Sequence, residues 1–243
     1  MDDPSLDPAV YAAVVGDLSK VNALLMVSRP TIAFIRRTLG ARKRFRLLDV
    51  GYGQGDMLRA IARWAARRGI AAELVGVDLN PRSLPAARAA TPAGMAIDYR
   101  TGDYADTAGE GWDYVISSSV THHMTDAQIH AFIRFMEAEA RIGWYVNDIH
   151  RHWLAFLGFP PLAWAMRWHA MVRHDGCLSV QRGFRKAEWE GLVAESGIDL
   201  AGPRVVRRFP LRLCVERARG SSAAGRRARR RRSCSPAPAP RRS

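Results

Sequence analysis

The chain has 243 residues, 48% of them hydrophobic and 25% charged, which is enough length and apolar content for a folded domain with a sizeable core. Its three cysteines, Cys177, Cys214 and Cys234, are odd in number and share no metal-ligand spacing, so we expect neither a disulfide framework nor a bound metal; this usage fits a reducing, cytoplasmic setting. The formal charge of +14 suggests polyanions as partners, but nine arginines fall in residues 218–243, "ARGSSAAGRRARRRRSCSPAPAPRRS", which hold no acid, and the rest of the chain carries only +5.

The opening "MDDPSLDPAV" is acidic and has no apolar run behind a basic start, unlike a signal peptide. Residues 1–44, with "DPAVYAAVVGDLSKVNALLMVSRPTIAFIRRTL", read as an N-terminal helical cap. "FRLLDV" (Phe45–Val50) is a short apolar run that ends in glycines, the pattern of a buried parallel strand. "DMLRAIARWAARRG" follows with apolar residues at helical spacing and Gly69 as a stop. "AELVGVDL" is a second strand, followed by a helix with Asn80 as N-cap and Pro81 in its first turn. "MAIDYRTGD" and "WDYVISSS" give the third and fourth strands, "TDAQIHAFIRFMEAEA" a helix capped by Thr125, and "RIGWYVND" the fifth strand. After the apolar segment "WLAFLGFPPLAWAMRWHAMV" come a helix, "RKAEWEGLVAESG", and two strands around Pro210. Strands alternating with helices at this pitch specify a doubly wound α/β fold with a parallel sheet. The last segment, 218–243, is rich in Arg, Ser, Pro and Ala and reads as disordered. It could grip phosphates, or be a solvated appendage or the product of a shifted reading frame.

The first strand-to-helix turn, "DVGYGQGD", carries Gly51, Gly53 and Gly55 between Asp49 and Asp56. In an open α/β sheet such a turn is where ligands bind. A dinucleotide fingerprint needs glycine where Asp56 stands, and a phosphate-binding loop needs a Lys-Ser/Thr pair that does not follow. Two acids, no base and glycines for close approach suit a ligand that carries positive charge and no phosphate.

"LLDVGYGQGD" resembles the first motif of the class I S-adenosylmethionine-dependent methyltransferases. "VGVDLNPRSL", "TGDYAD" and "WDYVISSSVTHHMTD" resemble the later landmarks, the last one as found in the small-molecule branch with the quinone-biosynthesis enzymes. The resemblance runs from about residue 45 to residue 217. It implies a mostly parallel seven-stranded sheet of the Rossmann-like methyltransferase type with an antiparallel last strand, and S-adenosylmethionine as cofactor. It also implies a cofactor set: Asp49, Gly51, Tyr52, Gly53, Gln54 and Gly55 in the first turn, Asp78 on the ribose hydroxyls with Leu79 beside it, Asp103 near the adenine with Tyr104, and Ser118 at the fourth strand.

Proton transfer at neutral pH suits histidine. His122 and His123 follow the fourth strand and His150 the fifth, with His152 near it, so these loops open on the side of the glycine turn. His123, His150 and His122 are the candidate catalytic residues, each with a packing or surface role as its alternative; Asn147 and Asp148 are candidates to orient the substrate. The segment Trp153–Val172 holds three of the seven tryptophans, with Pro160, Pro161, Arg167 and His169 interrupting it as a membrane span. The family places a substrate-covering insertion here, at about 150–180. Such a wall suits a small apolar or aromatic substrate, and shallow contact with a bilayer is compatible with it. Methyl transfer to a hydroxyl oxygen of a phenolic or polyketide-like secondary metabolite is the expected reaction. Carbon methylation of a quinone precursor, a nucleic-acid methyltransferase reached through the Arg-rich tail, and a non-catalytic S-adenosylmethionine-binding protein stand as alternatives.

Overall fold

The computed structural model describes residues 7–165, 176 and 178–219. In chain order the elements are α1 (Pro8–Leu24), α2 (Ser28–Leu39), β1 (Arg44–Val50), α3 (Asp56–Ala66), β2 (Ala71–Asp78), α4 (Ser83–Ala90), β3 (Asp98–Thr101), β4 (Tyr114–Ser118), α5 (Asp126–Glu139), β5 (Gly143–Ile149), α6 (Trp153–Ala165), α7 (Lys186–Glu195), β6 (Arg204–Arg208) and β7 (Arg212–Ala218). One seven-stranded sheet has the order β3-β2-β1-β4-β5-β7-β6. Strands β1 to β5 pair in parallel, and β7 inserts between β5 and β6, antiparallel to both. This is the doubly wound, mostly parallel sheet expected. The order reverses between β1 and β4, which opens a crevice at their carboxyl ends.

Each face of the sheet is covered. Leu47 and Leu48 are neighbours on β1 and point to opposite sides, as alternation requires. Leu47 joins Phe34, Leu58, Ile61, Tyr114 and Tyr145 in one core, and Leu48 joins Val115, Phe132, Ile133, Trp144 and Trp189 in the other. On α3, Met57, Leu58, Ile61, Trp64 and Ala65 are buried, the stripe read from the sequence. Gly69 adopts φ +61° beyond its end, and Ile70 N–H bonds the Ala65 carbonyl at 3.0 Å. Thr125 caps α5 with a complete capping box with Gln128.

Two local expectations are corrected. Asn80 is not the N-cap of α4. The helix starts at Ser83, and the Asn80 side chain accepts from Arg82 N–H at 3.1 Å, a local turn that competes with capping. Ala218, assigned to the tail by composition, is the last residue of β7. The tail from residue 220 on lies outside the described residues, as do 166–175 and 177 of the expected insertion.

The N-terminal helix closes over the glycine turn. Tyr11 shares a hydrogen bond of 2.7 Å with Ser83 of α4, and Asn22 Nδ2 donates to Asp56 Oδ2 at 3.1 Å. Among the described residues no single helix is long and apolar enough to cross a membrane.

Candidate functional site

The turn between β1 and α3 is built from backbone that side chains would obstruct. Gly51, Gly53 and Gly55 all have positive φ, at +75°, +54° and +76°. A Cβ on Gly51 would stand 2.4 Å from Val120 Cγ2, and one on Gly55 would stand 2.3 Å from the Tyr99 hydroxyl, whereas at Gly53 nothing lies within 4 Å. The three glycines therefore separate two effects. Gly53→Ala is expected to cost only backbone strain, roughly 1–3 kcal/mol. Gly55→Ala adds displacement of the Tyr99 ring and should unfold at a clearly lower temperature; equal melting temperatures for the two variants would refute the packing argument.

Asp78, at the end of β2, organises the rim of the turn. Its Oδ2 accepts from Gly53 N–H and its Oδ1 from Asn80 N–H, both at 2.9 Å. A carboxylate has about four acceptor sites, so lone pairs remain for a ligand hydroxyl. Asp49, Asp56 and Asp78 converge here. Burial raises the pKa of all three, and the charges of Asp56 and Asp78 push Asp49 up further. Asp49 is 1% exposed, and its Oδ1 has no hydrogen-bond partner. A buried acceptor left unmade costs about 1–3 kcal/mol. A cationic ligand fits this cluster, and the ammonium and sulfonium of S-adenosylmethionine are the right sign.

The other expected cofactor residues take varied positions. Gln54 is partly buried, and its Nε2 lies 3.4 Å from where a Cβ on Gly16 of α1 would be. Tyr52 points its ring into the core, 4.9 Å from the Tyr99 ring, and its buried hydroxyl is unpartnered. Leu79 is 72% exposed beside Asp78, free to cover a flat ring. Asp103 is exposed and spends Oδ1 on Ala105 N–H, capping the short 3-10 turn Tyr104–Thr107. Tyr104 packs between Phe132 and Phe135. Ser118 ends β4, half buried.

The histidines separate. His122 is buried in the short turn Thr121–His123 beyond β4. Its Nδ1 lies 2.7 Å from Asp148 Oδ1, and its buried Nε2 has no partner. Asp148, fully buried at the end of β5, also accepts from Thr121 Oγ1, from His122 N–H and from Ile149 N–H. Burial alone would raise its pKa, but the His122 contact, the Arg212 charge and the Thr121 hydrogen bond outweigh it and bring it down to about 2. Asp148 is therefore ionised at neutral pH, which places the neutral-imidazole proton on Nδ1 and leaves Nε2 as a base. His123 is exposed, its ring 4.2 Å from that of His122. His150 is buried just beyond the end of β5. Its N–H bonds the Leu211 carbonyl, its ring lies 5.3 Å from His152, and burial with the Arg207 and His152 charges lowers its pKa. His152 Nδ1 accepts from Leu154 N–H at the start of α6.

Three participants were not singled out by sequence reasoning as site residues: Thr121, Tyr11 and Arg212. Arg212 sits at the start of β7, 5% exposed, and donates to Asn147 Oδ1, the Asn147 carbonyl and Ser119 Oγ. Asn147 in turn donates to the Val27 carbonyl and Thr31 Oγ1, tying β5 to α2. The one signal available was "ND" closing an otherwise apolar strand. Among the described residues no group of histidines, cysteines and acids has the makings of a metal site.

Residues 47–140 match the family model described as a methyltransferase domain. A ubiquinone biosynthesis O-methyltransferase of Cereibacter sphaeroides (strain KD131 / KCTC 12085) is 32% identical over 136 residues, 54% of this chain and 52% of that protein. The chain thus spans about half the length of the curated relatives it matches. Among solved structures, human N-acetylserotonin methyltransferase in complex with S-adenosylmethionine superposes with a TM-score of 0.61 at 12% identity, over 88% of this chain and 57% of that one. Magnesium protoporphyrin IX methyltransferase from Synechocystis PCC 6803 with bound S-adenosylhomocysteine gives 0.53 at 16% identity, over 90% of each chain. At these identities the structural likenesses concern the fold.

Proposed function

We propose that this chain, a class I S-adenosylmethionine-dependent methyltransferase, methylates a hydroxyl oxygen of a small apolar phenol, with His122 as the general base. The observation that carries the reading is the buried Asp148–His122 pair, with an unpartnered Nε2 two residues beyond Val120, the side chain that closes on Gly51. The curated relatives named as O-methyltransferases support oxygen as the target.

When bound, S-adenosylmethionine supplies an electrophilic methyl group on its sulfonium. The chain's own residues do the rest. Asp49 and its neighbouring acids answer the cofactor's positive charge, and Asp78 accepts from the ribose hydroxyls. His122 Nε2 takes the phenolic proton as the oxygen attacks, and Asp148 holds the ring and stabilises the imidazolium that forms. A phenol ionises near pKa 10, so unaided it is mostly protonated at neutral pH and gains from a base. Helix α6 exposes an apolar surface: Trp153 is 64% and Trp164 74% exposed, with Leu154, Phe156 and Leu157 also exposed. That surface supports an apolar acceptor and peripheral contact with a bilayer from the cytoplasmic side. The acidic crevice favours a small molecule over a nucleic acid, whose phosphates it would repel.

Incubation with methyl-labelled S-adenosylmethionine and a panel of apolar phenols tests this reading: label should enter the organic extract as an aryl methyl ether. Label on ring carbon would point to quinone-precursor methylation, and binding without any transfer would leave a cofactor-binding protein. Asp78→Ala should weaken S-adenosylmethionine by about 1.5–3 kcal/mol, the range for hydrogen bonds to a charged group. Calorimetry with an unchanged Kd in the folded variant would take Asp78 out of the site.

A further inference from the structure

Arg212 is a buried cation that feels the Asp148 charge across space but is bonded to no carboxylate of the described residues. No carboxylate of the described residues lies within salt-bridge distance of it; its partners are the neutral Asn147 side chain and carbonyl and the Ser119 hydroxyl. Burying an unpaired guanidinium costs several kcal/mol. Asp148, whose charge reaches Arg212, takes its four hydrogen bonds from Thr121, His122 and Ile149, none of them from Arg212. The guanidinium has five N–H donors. Nε and Nη2 are engaged, while no described residue accepts from Nη1.

The location is informative. Arg212 pairs with Ile149 across β5 and β7, at the carboxyl edge that carries the His122–Asp148 pair. Ser119, which accepts from Nη2, directly precedes Val120, whose side chain abuts Gly51, and Thr121 and His122 follow, so Arg212 lies at the edge shared by the proposed base and the glycine turn. Ser119, which orients Nη2 at 2.8 Å, holds a left-handed backbone at φ +58°. Such strain in a residue other than glycine is held where the surroundings over-determine it, often at functional sites.

We propose that Arg212 is the receptor for a negatively charged oxygen carried by the acceptor, so that the enzyme selects aromatic acceptors bearing a carboxylate or an ionised hydroxyl. This rests on the methyl-transfer reading above. The anion gives Arg212 a directly bonded counter-charge, and its charge-assisted hydrogen bonds to Nη1 fix the ring relative to the methyl donor. Burial draws the guanidinium's pKa down from its ordinary value, yet arginine keeps its proton at any physiological pH.

The test uses the full chain saturated with S-adenosylhomocysteine, and as probes 2-naphthoate and its neutral twin 2-naphthamide. Wild type should bind the carboxylate at least about tenfold tighter than the amide. Arg212→Gln should abolish that preference while the Kd for S-adenosylhomocysteine stays within twofold. Three outcomes overturn the proposal: no preference in the wild type, a preference that persists in Arg212→Gln, or a large loss of S-adenosylhomocysteine affinity, which would make the cofactor's own carboxylate the anion. Intact cofactor binding with no anion preference would leave the methyl-transfer reading standing and sink only this one. If the glutamine variant does not fold, the wild type still decides. The Nε–H resonance that vanishes in Arg212→Lys should move on adding 2-naphthoate and stay still with 2-naphthamide; no movement with the carboxylate refutes the assignment.

Discussion

The His122→Ala variant is expected to turn over about 10²–10⁴ times more slowly at neutral pH, the usual worth of a general base, with S-adenosylmethionine affinity nearly unchanged. The loss should shrink as pH rises towards the acceptor's own pKa, about 10 for a simple phenol, because an ionised acceptor no longer needs the base. His123→Ala and His150→Ala are the comparisons. His123 is exposed, and the ring contact of His150 is with His152, so neither should give the pH-dependent loss. Asp148→Asn probes the same pair from the other side. An amide can donate to Nδ1, which would place the imidazole proton on Nε2 and silence the base without deleting it. Turnover against pH for the four variants decides. A pH-independent loss at His122 would reduce it to a packing residue.

The linkage for Asp148 can be worked through. Its folded pKa, about 2, lies below the unfolded carboxylate value of about 3.9. The stabilisation from this group is thus fully present above about pH 4 and is lost as pH falls through about 2. The dyad stays assembled over the whole range in which the enzyme would be assayed, and acid unfolding should draw on it only at the low end.

Asp49→Asn is expected to act in opposite directions on stability and binding. Asp49 has its folded pKa raised above the unfolded value, so ionising it at neutral pH costs the native state; that cost is absent below the unfolded pKa and grows as pH rises towards the folded one. An isosteric neutral side chain removes it. The ligand-free variant should gain roughly 1–3 kcal/mol, about 2–4 °C in melting temperature per kcal/mol for a chain of this size, while S-adenosylmethionine binds at least tenfold more weakly. Wild type should recover more stability than the variant when the cofactor is added. Thermal melts with and without S-adenosylmethionine check both signs. A variant that is less stable and binds normally would show that Asp49 is a structural acid and not a cofactor ligand.

The glycine turn was legible because its cause is local: three glycines at alternate positions need positive φ or close approach wherever the chain goes. Asp49 and Asp78 were legible for a related reason, since an acid that ends a buried strand lacks a core partner. The Asp148–His122 pair was only half visible. Both residues were singled out, but what joins them is the adjacency of β4 and β5, a fact of strand order that spacing along the chain does not carry. Arg212 was hidden altogether. It sits in "PLRLCVERA", where an arginine reads as the outward member of an alternating strand, and its burial follows from β7 entering between β5 and β6. Asn80 shows the converse: an Asn-Pro pair reads as a helix start, whereas its side chain serves a tighter turn.

That late insertion has a consequence for how the chain is made. Synthesis delivers the glycine turn, β2 and β4 early, and these can pair as they leave the ribosome. The edge of β5, "GWYVNDI", has to wait for Arg212–Ala218. Until then a nearly all-apolar strand presents unpaired N–H and C=O groups, a ready template for another nascent chain. The half of the crevice that carries the glycine turn can thus exist before the half that carries Arg212, and the newborn protein passes through an interval in which it is adhesive and its crevice is incomplete. Quality control in the cell would act on that interval, and ribosomal pauses before β7 would lengthen it.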